Sequence, residues 1–244
     1  MNGRMVKGRN FKDYRETGEP DSAVRIYSSQ DADELVFFDI KPNKDSRKEL
    51  ISIVKAAARE CFMPLTVGGG ISNLQDIREL VAAGADKVVI TTMAVDNDIF
   101  LTDAMNHFGA QCIVAGIDYK YESGKYNVYI ESGATQTKYN ALDLAKHYSN
   151  IGVGEILINS IDKDGCMQGY DIDFLKTVVK SVNCPVIAAG GAGTFQHLKD
   201  VFKLSGVEAA ACASLFHFGD NNPIRARSYL RNEGIPVRSL RKRL

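Results

Sequence analysis

The chain has 244 residues, 45% of them hydrophobic, which fits one large α/β barrel or two small domains. Its 30 basic residues balance its 30 acidic residues, so no overall field favours nucleic acid or a membrane surface. No apolar run approaches the roughly 18 residues of a membrane span, and the first residues lack a signal peptide's apolar stretch. The five cysteines are odd in number and lack ligand-like spacing. We therefore expect a reduced, cytoplasmic protein without a metal site.

Short apolar runs recur along the chain and are separated by amphipathic segments. Runs of this length, alternating with helical patterns, predict a parallel sheet covered by helices. The predicted strands are 35–38, 64–67, 87–90, 112–115, 156–158, 186–188 and 209–211. The predicted helices are 46–60, 74–83, 141–148, 174–182 and 195–204, and a hairpin is predicted over 119–130.

The two halves of the sequence resemble each other. Glu34 and Pro64 recur as Glu155 and Pro185, 121 residues later in each case. A constant offset predicts one barrel domain over 1–244, built from half-barrels of about 1–110 and 111–244.

Only seven strands are predicted, where two matching halves of a (β/α)8 barrel would supply eight. The partner of the strand at 112–117 would precede Met1, so the first strand is expected to be missing from this chain. Two unpaired edges promote aggregation. We therefore expect the 244-residue form to be poorly soluble or nearly inactive.

Glycine-rich segments follow several predicted strands. Gly68–Gly70 and Gly190–Gly191 form a repeated pair, and Gly165 follows another strand. Glycine lets backbone amides approach a phosphate closely, although glycines can also simply turn the chain. Thr91-Thr92 and Ala213-Ser214 follow the repeated pair one strand later. This repetition favours two phosphate sites and a ligand with a phosphate at each end.

Two aspartates end apolar strands. Asp118 follows the run at 114–117 and is expected to point into the barrel mouth, where a carboxylate can act as a general acid or base. A structural cap of the following loop is the alternative. For Asp39, which ends the run at 35–38, the sequence favours neither role.

Several segments resemble the cyclase subunit of imidazole glycerol phosphate synthase, and the resemblance covers essentially the whole chain. They are 2–8, 33–40, 67–71, 160–165, 169–171 and 213–218. The resemblance implies a lyase that forms a heterodimer with a glutaminase subunit and needs no cofactor. Ammonia from the glutaminase would enter the bottom of the barrel. At the top it would react with a bis-phosphorylated ribulosyl aminoimidazole-carboxamide ribonucleotide. The products would be imidazole glycerol phosphate and the carboxamide ribonucleotide.

The resemblance also implies roles for individual residues. Asp118 matches one of two catalytic aspartates, and the other would precede Met1. The substrate and phosphate positions are Lys7 in a mobile loop, Gly70, Thr91 (usually asparagine in the family), Thr92, Asp164, Gly165, Gly191, Ala213 and Ser214. The ammonia entrance would be formed by Glu34, Lys87 and Glu155, and Asp86 would dock the glutaminase.

Some positions depart from the family pattern. The segment 132–137 replaces a Gly-Lys-type substrate loop, and Asn159 stands where threonine is usual. These changes resemble a second-copy branch associated with surface-polysaccharide genes. That branch offers one alternative, a subunit that delivers ammonia for amidino or amino sugars. A non-catalytic barrel that only binds a partner is the other.

Overall fold

The computed structural model describes residues 3–41, 44–60 and 62–238, and a curled parallel sheet organises them. The strands are β1 (Met5–Arg9), β2 (Lys12–Gly18), β3 (Leu35–Phe38), β4 (Leu65–Gly68), β5 (Lys87–Ile90), β6 (Ile113–Glu122), β7 (Lys125–Ile130), β8 (Thr135–Asn140), β9 (Glu155–Ser160), β10 (Val186–Ala189) and β11 (Ala209–Ala210). The helices are α1 (Pro20–Ser29), α2 (Lys44–Glu60), α3 (Leu74–Ala83), α4 (Thr92–Asp96), α5 (Asp98–Phe108), α6 (Ala141–Ile151), α7 (Ile172–Val179), α8 (Phe195–Asp200), α9 (Ser214–His217) and α10 (Pro223–Asn232).

Seven strands pair in parallel in the order β11, β10, β9, β6, β5, β4 and β3. Each is followed by a helix, although β7 and β8 form an antiparallel extension of β6 before α6. This is the architecture of a (β/α)8 barrel with seven of its strands in the described residues, and the predicted fold class is confirmed. Within the same residues, no helix is both long and apolar enough to cross a membrane.

The sheet is buried on both faces, which explains its continuous apolar runs. Side chains on its outer face, such as Val88 and Ile90, join the large core shared with the helices. On the inner face, Val89, Val114 and Leu157 form a smaller cluster, with Ile187 and Ala189 packed against it. Successive side chains of a strand point to opposite faces, so β5, β6, β9 and β10 each supply residues to both clusters.

The predicted helices are confirmed with shifted ends. Helix α3 matches 74–83 because Asn73 caps its first turn and Gly84, at φ 113°, ends it in the left-handed conformation. Helix α6 runs three residues past the predicted end, to Ile151. The predicted helix 195–204 is α8 followed by a π-helical turn, Val201–Ser205.

The outer edges of β3 and β11 are unpaired among the described strands. A cavity of about 2130 Å³ lies along this opening and is lined by residues of both edges, including Leu35, Phe37 and Ala209. The cavity reaches Asp118 within β6 and Glu34 ahead of β3. The opening therefore joins the two ends of the barrel.

An ion-pair network bridges this opening near the start of β3. Arg227 of α10 is only 4% exposed and contacts Asp31 at 2.8 Å and Asp33 at 3.0 Å. Arg238 contacts Asp31 at 3.2 Å and Asp33 at 2.8 Å. Because both aspartates lie between α1 and β3, the network fastens the last helix to the segment that leads into the first strand of the sheet.

We expect a parallel strand placed between β3 and β11 to stabilise the chain. It would engage backbone groups on two edges, and each net hydrogen bond contributes about 0.5–1.5 kcal/mol. The test fuses an apolar strand segment ahead of residue 1 and measures the unfolding midpoint and light scattering. A Gly-Ser extension of equal length is the control. Equal midpoints for the two extensions would show that the edges do not accept a strand.

Candidate functional site

Asp118 lies beside Asn159, near the carboxyl end of β9, and β6 continues beyond Asp118 to Glu122 instead of ending there as predicted. Asp118 and Asn159 are paired in the parallel register, and Asn159 Nδ2 donates to Asp118 Oδ1 at 2.9 Å. Both line the cavity. Asp118 therefore lies in the mouth of the barrel, where the sequence placed it.

The surroundings of Asp118 favour its neutral form. Burial raises the pKa of this carboxyl to about 7, the hydrogen bond from Asn159 opposes that rise, and the charge of Asp164 adds to it. A group that titrates near neutral pH is present in both protonation states. The Asp118 carboxyl can therefore take a proton from one group and return it to another.

A hairpin formed by β1 and β2 covers the same cavity. Lys7 Nζ lies 2.6 Å from both carboxylate oxygens of Asp164, and both side chains are largely buried. Asn10 donates its side-chain amide to the carbonyls of Ile161 and Asp162, and its backbone N–H to that of Asp164. The hairpin is therefore fastened to the segment that follows β9.

Two glycine turns flank the mouth. Gly69 and Gly70 follow β4 with φ of 102° and 63°, and Gly190 and Gly191 follow β10 with φ of 87° and 113°. A Cβ on Gly69 would lie 2.2 Å from the carbonyl oxygen of Asp39, so only glycine fits there. These turns expose backbone amides to the cavity, which suits the binding of an anion.

Every substrate position implied by the resemblance lines this one cavity: Lys7, Gly70, Thr91, Thr92, Asp164, Gly165, Gly191, Ala213 and Ser214. Ser214 Oγ is buried and has no hydrogen-bond partner among the described residues. A buried hydroxyl without a partner is costly, and a bound anion would satisfy it.

Three charged residues meet at the opposite end of the barrel. Lys87 Nζ lies 3.0 Å from Glu34 Oε2 and 2.8 Å from Glu155 Oε1. Burial lowers the pKa of Lys87, but its hydrogen bonds to Glu155 and Glu34 outweigh burial, so the pKa is raised. Lys87 therefore keeps its positive charge at neutral pH.

Asp86, the predicted docking residue, is exposed and does not line the cavity. Its carboxylate accepts a hydrogen bond from the backbone N–H of Leu65 at 2.8 Å. Glu208 does the same for Val186 at 3.0 Å in the second half. Asp86 thus has a structural contact that its sequence position did not reveal.

Sequence reasoning assigned no role to two further contacts. Tyr27 Oη lies 3.2 Å from His217 Nδ1 beside the cavity, and burial, together with the charge of Lys7, lowers the pKa of His217. Asp39 accepts hydrogen bonds from Ser46 Oγ and from the N–H of Lys41. These bonds show Asp39 organising its loop.

Within the described residues, no group of three side chains is suited to hold a metal ion.

Comparison with known proteins shows the family of the chain. Residues 1–222 match the family model described as histidine biosynthesis protein. The chain belongs to this family. The imidazole glycerol phosphate synthase subunit HisF of Clostridium botulinum strain Kyoto / Type A2 is 41% identical over 238 residues, which cover 97% of this chain and 94% of that relative. The same subunit of strain 657 / Type Ba4 has equal identity and coverage.

The family assignment confirms the resemblance drawn from the motifs. It covers the segments that form β4, β6 and β10, so the glycine turns and Asp118 belong to the matched region. The roles of the individual residues stay predictions, which the geometry makes testable.

We expect Asn159→Ala to raise the pKa of Asp118, because it removes the hydrogen bond that stabilises the carboxylate. For a reaction that needs ionised Asp118, the acidic limb of the pH–rate profile should then shift to higher pH. Carboxyl ¹³C NMR titration measures the shift directly. Asn106→Ala, at an exposed position of α5, is the control. An unchanged Asp118 titration in the Asn159 variant would contradict the assignment.

Proposed function

We propose that the chain is the cyclase subunit of a glutamine amidotransferase in histidine biosynthesis. It would use ammonia to convert a bis-phosphorylated ribulosyl aminoimidazole-carboxamide ribonucleotide to imidazole glycerol phosphate and the carboxamide ribonucleotide. The observation that carries the proposal is the position of Asp118. Its carboxyl lines one cavity together with the glycine turns after β4 and β10.

The two glycine turns support a substrate with a phosphate at each end. Gly70 with Thr92, and Gly191 with Ser214, would each hold one phosphate. Binding at both ends fixes the middle of the substrate, so its reacting atoms are held in position against the Asp118 carboxyl. Positioning of this kind supplies a large part of the rate enhancement of many enzymes.

Asp118 would move the proton that ring closure requires. Its pKa of about 7 lets it accept a proton from the attacking nitrogen and return one to a leaving group. In the structure, Lys7 Nζ lies 2.6 Å from the carboxylate of Asp164. Once released from Asp164, the Lys7 ammonium group would lie beside the substrate. An anion that enters the cavity competes with Asp164 for that charge.

The cluster at the bottom of the barrel supports an ammonia entrance and a glutaminase partner. Glu34 lines the cavity that also reaches Asp118, and Lys87 is paired with both Glu34 and Glu155. We propose that the glutaminase docks beside Asp86 and that ammonia passes this cluster. The described cysteines Cys112, Cys166, Cys184 and Cys212 are free thiols, which supports a cytoplasmic location.

The test of the proposal is Asp118→Asn. It keeps the shape of the side chain but cannot exchange the proton, so cyclisation should fall about 10²–10⁴-fold. Turnover of the bis-phosphorylated ribonucleotide is measured with ammonium salt, both in the chain itself and in the form with an added strand. Asp103→Asn, at an exposed position of α5, is the control. Full activity of the Asp118 variant would reject the proposed role.

A gating role for Lys87 predicts that its mutation lowers turnover with glutamine more than turnover with ammonium salt. Lys87→Met should lower glutamine-dependent turnover about tenfold more than turnover with ammonium salt, a typical scale for coupling between separate sites. Loss of the cluster disturbs the entrance but leaves the mouth intact. Lys55→Met, at an exposed position of α2, is the control. Equal losses with the two sources would reject gating.

A second candidate function is ammonia delivery for amidino or amino sugars. Asn159 at the threonine position contacts Asp118 directly, and the altered segment lines the cavity through Ser132 and Ala134. Ser132 Oγ also donates to the carbonyl of Ile40 at 2.9 Å. Both departures therefore lie where a substrate would bind. Glutamine-dependent activity without cyclisation would favour this candidate, and a chain that binds a glutaminase but supports neither activity would be a partner-binding barrel.

A further inference from the structure

Arg47 of α2 contacts the glycine turn after β4 from outside the cavity. Its Nη2 donates to the carbonyl oxygens of Gly69, at 3.2 Å, and of Gly70. Its Nη1 is buried and has no hydrogen-bond partner among the described residues. Arg47 does not line the cavity itself, so it reaches a ligand there only through the turn.

These hydrogen bonds fix two peptide planes. In a trans peptide the C=O and the following N–H point in opposite directions. Because Arg47 holds the carbonyls of Gly69 and Gly70, the N–H groups of Gly70 and Ile71 point away from it. No hydrogen bond among the described residues uses either amide, and both residues line the cavity. Two backbone donors are thereby held ready for an anion.

The turn in the second half is held by a neutral group. The backbone N–H of Gly169 donates to the carbonyl of Gly191 at 2.8 Å, and the residue 121 positions after Arg47 is Gln168. Among the described residues, a guanidinium group thus contacts the turn after β4 and none contacts the turn after β10.

The negative group next to this turn is already engaged. The carboxylate of Asp39 accepts from Ser46 Oγ at 2.7 Å and from the N–H of Lys41 at 3.1 Å. Arg47 forms no ion pair within the part of the chain that the structure describes. No described carboxylate therefore neutralises its charge by direct contact.

We propose that Arg47 is a positioning residue that makes the turn at Gly69 and Gly70 the stronger of the two phosphate sites. The inference rests on the proposed function, which requires a phosphate at each turn. The inference adds a difference between the two sites. The phosphate at the turn after β4 is held by amides that the Arg47 cation polarises. The phosphate at the turn after β10 is held by amides that no such cation polarises.

The test is a titration with inorganic phosphate at constant ionic strength, followed through individual backbone amides by ¹H–¹⁵N NMR. In the unaltered chain, Gly70 and Ile71 should saturate at lower phosphate concentration than Gly191 and Ala192. Arg47→Met should weaken the first response about tenfold and leave the second unchanged. In Arg47→Lys, the phosphate affinity at Gly70 and Ile71 should lie between that of the unaltered chain and that of Arg47→Met. Lysine keeps the charge but cannot hold both carbonyls in a fork. Arg59→Met, at an exposed position of the same helix, is the control.

The outcomes separate the inference from the function on which it rests. If neither pair of amides responds to phosphate in the unaltered chain, the two-phosphate proposal fails, and the role of Arg47 fails with it. If both pairs respond but Arg47→Met leaves the first unchanged, only the role of Arg47 is overturned. The same holds if Arg47→Met weakens both pairs equally, since that result indicates general damage to the fold.

Discussion

The parallel pairing of the strands is the constraint on which the rest of the structure depends. Parallel strands send all of their carboxyl ends to one edge of the sheet and all of their amino ends to the other. The two glycine turns follow carboxyl ends, and Asp118 lies in β6 opposite Asn159 near the carboxyl end of β9, so they share a cavity. Glu34, Lys87 and Glu155 stand at amino ends and meet across the sheet. The separation of Asp118 from the charged cluster is thus a consequence of strand direction.

The two ends use burial in opposite ways. At the mouth, a carboxyl without a cationic partner has its pKa raised to about 7 and becomes able to exchange protons. At the entrance, a lysine between two glutamates has its pKa raised and keeps its charge. The same low-dielectric surroundings therefore produce a reactive group where a partner is missing and a fixed charge where two partners are present.

The sequence predicted the parts of the fold that depend on local pattern. Strands β5 and β10 were found because both of their faces are buried and their residues are continuously apolar. The strands β2 and β8 were missed because they are polar and are held by pairing with a neighbouring strand. The glycine turns and Asp118 carry recognisable motifs. Arg47 does not, because its partners lie 22 and 23 residues away in sequence and meet it only after α2 packs on the sheet.

The opening between β3 and β11 connects these features physically. At its lower end, Arg227 is almost fully buried and pairs with Asp31, which is largely buried, and with Asp33, which is exposed. At its upper end, the hairpin β1–β2 is tied to the loop after β9 through Lys7 and Asp164. The lower contact joins two parts of the barrel wall. The upper contact joins the covering hairpin to the cavity through the charge of Lys7. Under the proposed function, a bound phosphate would compete with Asp164 for that charge, so ligand binding would act on the upper contact and leave the lower one in place.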